Sequence, residues 1–137
     1  MKILLDTHIA LWAAQGARQL SMRAREILEE ENLTPYLTPY LTPFVSAAAI
    51  WEIAIKHARG NLALHPRDAR SAFKLAGFVE LALTSDHAQT VASLPQRPDH
   101  ADPFDRIMVA QALYEGIPLL SADSKLWPYH ATLVIPA

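Results

Sequence analysis

Cysteine is absent from the 137-residue chain, which excludes disulfides, thiolate nucleophiles and cysteine-bound zinc. Glycine occurs four times, too seldom for a phosphate cradle built from backbone, and there is no Walker A or dinucleotide glycine string. No serine sits in a G-x-S-x-G turn. No apolar run approaches the ~18 residues of a membrane span. The opening MKILL is cut off at once by Asp6, unlike a signal peptide, so a cytoplasmic protein is expected. An excess of positive charge is also lacking. Twelve basic residues against 14 acidic ones leave a net charge of −2 and a pI of about 6.3. That balance excludes a broadly basic nucleic-acid coat but not local patches. Lys56 with Arg59, and Arg67, Arg70 with Lys74, fall at helical spacing. They read either as such patches or as solvated helix faces.

What the chain does have is a core. Hydrophobic residues make up 51% and charged ones 19%, enough for one folded domain spanning residues 1–137. Short apolar runs alternate with helical patterns. Strands are expected at Met1 to Leu5, Pro43 to Ser46, Phe78 to Leu83, Leu119 to Ser121 and Thr132 to Ile135. Helices are expected at Thr7 to Gln15, from Ser21 as N-cap to Glu30, at Ala47 to Arg59 with Gly60 as stop, at Pro66 to Ala76, and at Ser85 to Leu94 capped by Ser85. The best signalled helix lies in DPFDRIMVAQALYEGIP. There Asp102 fits the N-cap, Pro103 the first turn, Gly116 the stop, and Pro118 blocks continuation. Alternating strands and helices argue for an α/β fold with a mainly parallel sheet and helices on both faces.

One segment departs from this pattern. Residues 33–44 read LTPY, LTPY, LTPF. Each proline lacks a backbone donor and steers the threonine before it away from helix. The segment reads as a tandem duplication lengthening a surface loop, or as a proline-rich docking site.

Four acids stand beside apolar runs that should be buried: Asp6 after MKILL, Glu52 within SAAAIWEIAI, Asp105 before IMVAQAL, and Asp123 after IPLLSA. Burying an unpaired charge is costly, so something positive is expected to meet them. In an open parallel sheet ligands bind beyond the carboxyl ends of the strands. Asp6 and Asp123 each follow a strand. If those strands are neighbours they lie about 4.8 Å apart, and both carboxylates can share one ion. Oxygen ligands without cysteine or clustered histidine favour Mg²⁺ or Mn²⁺ over Zn²⁺. Each acid also has a plainer reading: Asp6 as a helix cap, Glu52 as an i, i+4 partner of Lys56, Asp105 as a first-turn acid, Asp123 as a turn residue. Asp102 is accounted for as the N-cap. His57, His65, His87, His100 and His130 read as structural or surface residues. His8 differs, two residues after Asp6, and can touch substrate or hydrogen-bond Asp6.

LLDTH, SAAAIWEIAIKHARGNL, HADPFDRIMVAQAL and LLSAD, in that order and at suitable spacing, resemble the motifs of PIN domains. More narrowly they resemble the VapC-type toxins of toxin–antitoxin modules. The resemblance covers nearly the whole chain. It implies a three-layer α/β/α PIN fold with an acidic pocket for Mg²⁺ or Mn²⁺. The family's four acids match Asp6, Glu52, Asp105 and Asp123, and Thr7 matches its hydroxyl residue beside the first aspartate. The LTPY repeat is the departure.

The implied activity is metal-dependent endoribonuclease cleavage, with Lys56, Arg59 or Arg106 contacting the RNA backbone. The implied partners are a cognate antitoxin and a second copy in a homodimer. Trp12 and Trp51 stand either as apolar anchors for such partners or as core residues. Two rival readings are a non-catalytic PIN module that binds RNA or antitoxin, and a metal-dependent phosphatase. The latter usually wants D-x-D, where this chain has Asp6-Thr7-His8.

Overall fold

The computed structural model describes residues 1–29, 41–96, 102–124, 126 and 133–137. Expectations for the first two LTPY copies, Glu30, His100, His130 and Thr132 lie outside the described residues.

β1 (Lys2–Leu5), β2 (Thr42–Ser46), β3 (Val79–Leu81), β4 (Leu119–Ser121) and β5 (Val134–Pro136) form one sheet in the order β3-β2-β1-β4-β5. Every neighbouring pair is parallel. Parallel neighbours need crossovers, and right-handed crossovers place helices on both faces. Six α-helices among the described residues supply them: α1 (Thr7–Gln15), α2 (Met22–Glu29), α3 (Ala47–Ala58), α4 (Pro66–Leu75), α5 (Ser85–Thr90) and α6 (Pro103–Glu115). The expected three-layer α/β/α arrangement is therefore present. Ile3, Leu4 and Leu5 of β1 are all fully buried, as a strand covered on both faces requires. Ile9, Ile53, Phe73, Met108, Leu119 and Leu120 complete the centre of the core.

The chain runs outward from β1 to β2 and β3, then returns to place β4 beside β1 before moving on to β5. Strand order thus reverses between β1 and β4, and a crevice opens beyond their carboxyl ends at such a point. Leu5 lies opposite Leu120 in the register, so Asp6 comes level with Ser121.

Local signals account for most boundaries. In α6, Asp102 caps, Pro103 occupies the first turn, and Gly116 ends the helix at φ 67, a left-handed conformation open to glycine without penalty. Gly60 has φ 78 just beyond α3. Ser21 accepts from Ala24 N at 3.0 Å to start α2.

Some boundaries differ from expectation. The cap of α5 is Thr84, not Ser85. Thr84 Oγ1 accepts from His87 N, and His87 Nδ1 accepts from Thr84 N, a reciprocal box that sets the start one residue earlier. The helix then gives way to a 3₁₀ turn at Val91–Ser93. β3 is shorter than expected because its partner β2 passes directly into α3 after Ser46, opposite Leu81. The last strand runs Val134–Pro136. The third repeat copy enters the sheet: Thr42, Pro43 and Phe44 open β2. Pro43 is tolerated there because Thr42 N bonds Met1 O, so the donor missing at Pro43 faces away from β1, before β3 begins to pair at Phe44.

Trp12 is half-buried against the core, whereas Trp51 is 56% exposed and is not a core residue. Among the described residues no helix is long and apolar enough to cross a membrane.

Candidate active site

Asp6 leaves β1 with its backbone N–H donating to Leu120 O at 3.1 Å, which extends the β1–β4 ladder by one bond. Its side chain is only 4% exposed. Oδ1 accepts from Ile9 N at 2.8 Å and caps α1. Oδ2 accepts from Ser121 Oγ at 2.5 Å. Helix cap and pocket residue are therefore one and the same group. Burial pushes the Asp6 carboxyl above the usual carboxylate range, against the opposing pull of the Ser121 and Ile9 hydrogen bonds and of His8.

Glu52 projects from the second turn of α3 and is 7% exposed. Thr7 donates its hydroxyl to Glu52 Oε1 at 2.8 Å. Lys56 Nζ meets Oε2 at 2.7 Å, one helical turn on. The i, i+4 pair is thus real, but it lies at a buried carboxylate rather than on a solvated face.

Asp105 stands in the first turn of α6, where its N–H donates to Asp102 Oδ1 at 3.2 Å. Burial pushes its carboxyl up to about 7, and the negative charges of Asp102, Glu52, Asp123 and Asp6 push in the same direction. Asp123 follows β4, its N–H donating to Ser121 Oγ at 3.0 Å.

These side chains line one cavity of about 150 Å³. Asp6, Glu52, Asp105 and Asp123 all reach it, and so do Thr7, His8 and Lys56. His8 is exposed and stacks on Trp12 with ring centroids 5.5 Å apart. Arg106 does not reach the cavity. Its guanidinium donates to Pro95 O at 3.0 Å and lines a separate groove. Arg59 is exposed at the end of α3.

Among the described residues, five carboxylates line the cavity beside Thr7, Lys56 and His8, a lining dominated by oxygen. Such a surplus of negative charge, with Asp6 and Glu52 buried, suits a hard dication. Asp6, Glu52 and Asp102 are meanwhile engaged by protein donors, and among the described residues no three acidic or histidine side chains are gathered tightly enough to hold a metal ion as they stand.

The sequence profile of the PIN domain matches residues 3–128. This chain belongs to the PIN domain family. No curated protein matches it in sequence. Among solved structures it is similar to VapBC2 from Rickettsia felis bound to a DNA fragment from its promoter. Identity there is 12% and TM-score 0.68, covering 100% of this chain and 99% of that one. It is also similar to FitAcB from Neisseria gonorrhoeae, at 20% identity and TM-score 0.63, covering 97% and 96%. VapC20 from Mycobacterium tuberculosis, described as a sarcin-ricin loop cleaving toxin, is similar at 20% identity and TM-score 0.53, covering 98% and 99%. At such identities the likeness is one of fold.

Two residues of this PIN pocket escape a reading of the sequence. Ser121 is fully buried and links Asp6 to the backbone of Asp123. A hydroxyl at the end of a buried strand was its only signal. Asp102 does cap α6, accepting from Phe104 N at 2.9 Å, yet it also lines the cavity. Its capping role was legible and hid the other one.

Proposed function

We propose that this PIN protein is a Mg²⁺- or Mn²⁺-dependent endoribonuclease, the toxin of a toxin–antitoxin pair. The observation that carries the reading is the convergence of five carboxylates on one small cavity at the reversal of strand order. The similarity to VapBC, FitAB and VapC20 structures supports it. Toxin–antitoxin complexes among those neighbours support a protein antitoxin that covers the pocket. A homodimer belongs to the same proposal.

Asp6, Glu52, Asp105 and Asp123 are the residues that would hold the cation. When bound, a divalent ion supplies charge opposite a phosphoryl oxygen and activates water for attack on phosphorus. The remaining work falls to the chain. Ser121 fixes the Asp6 carboxylate from one side while Ile9 N fixes it from the other. Thr7 and Lys56 hold Glu52 between a hydroxyl and an ammonium. Asp102 holds the first turn of α6, and with it Asp105. Lys56 lines the cavity and carries the charge suited to meet a substrate phosphate.

The test is incubation of total bacterial RNA with purified protein in Mg²⁺ or Mn²⁺, in EDTA, and with Asp6→Asn. Discrete metal-dependent cuts that vanish in the variant are expected. A second reading, a non-catalytic PIN module, is favoured because among the described residues no three acidic or histidine side chains are gathered to hold a metal ion. Intact RNA in every lane, with metal binding demonstrated separately, would select it.

A further inference from the structure

An apolar groove of about 460 Å³ lies near the acidic cavity and shares α3 and the start of α6 with it. Its volume falls within the ~300–1,000 Å³ of small-ligand sites. Trp51 of α3 forms one wall, and Leu83, Val91 and Ile107 supply further apolar surface. Tryptophan is among the side chains most buried on average, so one left 56% exposed in such a wall needs an explanation. Its ring is also braced. Phe104 of α6 meets it edge to face, with centroids 4.8 Å apart and planes at 79°, which holds the indole in place at little entropic cost. Arg106 adds one guanidinium to the lining, steadied by Pro95 O at 3.0 Å.

The groove and the cavity are tied residue by residue. Trp51 precedes Glu52, Pro103 follows Asp102, and Arg106 follows Asp105. Consecutive Cα atoms are ~3.8 Å apart, so the groove and the cavity lie close together where α3 and α6 meet. A nucleobase has apolar faces and polar edges. The groove offers an aromatic plate, apolar walls and one cation, the combination on which unstacked bases are held.

We propose that Trp51, braced by Phe104, stacks on a nucleobase next to the scissile phosphate, with Arg106 at the base edge or its phosphate. The inference rests on the ribonuclease reading above and assigns Trp51 as a substrate-positioning residue for it.

The test uses an RNA that the native protein cuts, compared across Trp51→Ala, Trp51→Phe and native protein. Base–aromatic stacking is worth roughly 5- to 150-fold by alanine substitution. A rise of that size in KM is expected for Trp51→Ala, with kcat little changed and Trp51→Phe retaining most of the native value. Binding is then read by fluorescence anisotropy in the Asp6→Asn background, with a short labelled single-stranded RNA and its abasic counterpart. Trp51 should favour the base-bearing strand, and Trp51→Ala should bind both strands alike. Circular dichroism melting checks that each variant is folded.

Equal losses for both strands, or native KM in Trp51→Ala, would overturn the assignment and leave the nuclease reading intact. Native cleavage together with loss of dimer mass in Trp51→Ala would overturn it too, assigning the groove to a second copy. If the native protein cuts no RNA, the ribonuclease reading falls and the assignment falls with it.

Discussion

Helix α6 carries a polar cluster at each end, and the two are built on opposite terms. At its start, Asp102 and Asp105 join Asp6, Glu52 and Asp123 around the acidic cavity. Further along, Gln111 is fully buried and accepts from Ser46 Oγ at 2.5 Å. Its Nε2 lies 3.5 Å from Ala82 O and 3.4 Å from His87 Nδ1. His87 is itself 0% exposed and meets Glu115 Oε1 through Nε2 at 2.7 Å. Because the Thr84 N–H can only donate, His87 Nδ1 accepts from it, and Nε2 carries the hydrogen given to Glu115. In this second cluster donors meet acceptors in series, and it contains one carboxylate. In the first, acceptors crowd acceptors, and one carboxyl is pushed up to about 7. A completed network holds a fold together, whereas a cluster with surplus like charge is held together by the fold.

Substitution separates the two clusters most sharply. Asp6→Asn should lower metal-dependent RNA cleavage by at least ~100-fold, since even groups that merely orient a metal ligand are worth 10–100-fold. The metal-free variant should melt at or above the native temperature, because asparagine can still cap α1 and one repelling charge is gone. Cleavage rates and thermal melts on the same samples check both halves. A collapsed fold in Asp6→Asn would reduce the residue to its capping role.

His87→Ala should do the reverse. Removing a fully buried ring and its hydrogen bonds should destabilise the protein by about 2–4 kcal/mol, measured by urea denaturation. RNA cleavage at a temperature where the variant stays folded should survive.

Smaller is the effect of the ion itself. Mg²⁺ at ten- to hundredfold excess over its Kd should add about 1.4–2.7 kcal/mol by linkage. The gain should disappear in Asp105→Asn, and a native melting curve indifferent to Mg²⁺ would count against a metal pocket.

The gentlest probe is pH. A carboxyl whose folded pKa lies above its unfolded value holds more protons folded than unfolded between the two. Stability then falls as pH rises through that window. For Asp105 the window runs from 3.8 to about 7. Metal-free protein should therefore lose melting temperature across it, less steeply in Asp105→Asn, and Mg²⁺ should restore the loss near pH 7.

Legibility followed range along the chain. α1 is bounded as read, because Asp6 caps it from the adjacent position. The ends of α6 follow from Asp102, Pro103 and Gly116, all within its own turns. The four acids were visible as charges set against apolar runs. Ser121 was not, because its meaning depends on a carboxylate 115 positions away. Arg106 follows Asp105 directly, yet helical rotation turns it toward Pro95 and out of the cavity. Trp51 read as a core residue or as an apolar anchor for a partner. Its exposure was decided by how α3 packs, with Glu52 and Ile53 turned inward.

Chain chemistry over a few residues thus dictated where helices begin and end, which runs enter the sheet, and which acids are out of place. Caps, proline and glycine constraints and apolar runs act over a few bonds, so they can be read without partners. Strand order was set elsewhere, and with it the meeting of Asp6 and Asp123. So were the raised carboxyl of Asp105, the burial of His87 against Glu115 and the open face of Trp51. Each of these depends on how segments far apart in sequence come together, because electrostatic and packing energies depend on their separation and on what surrounds them.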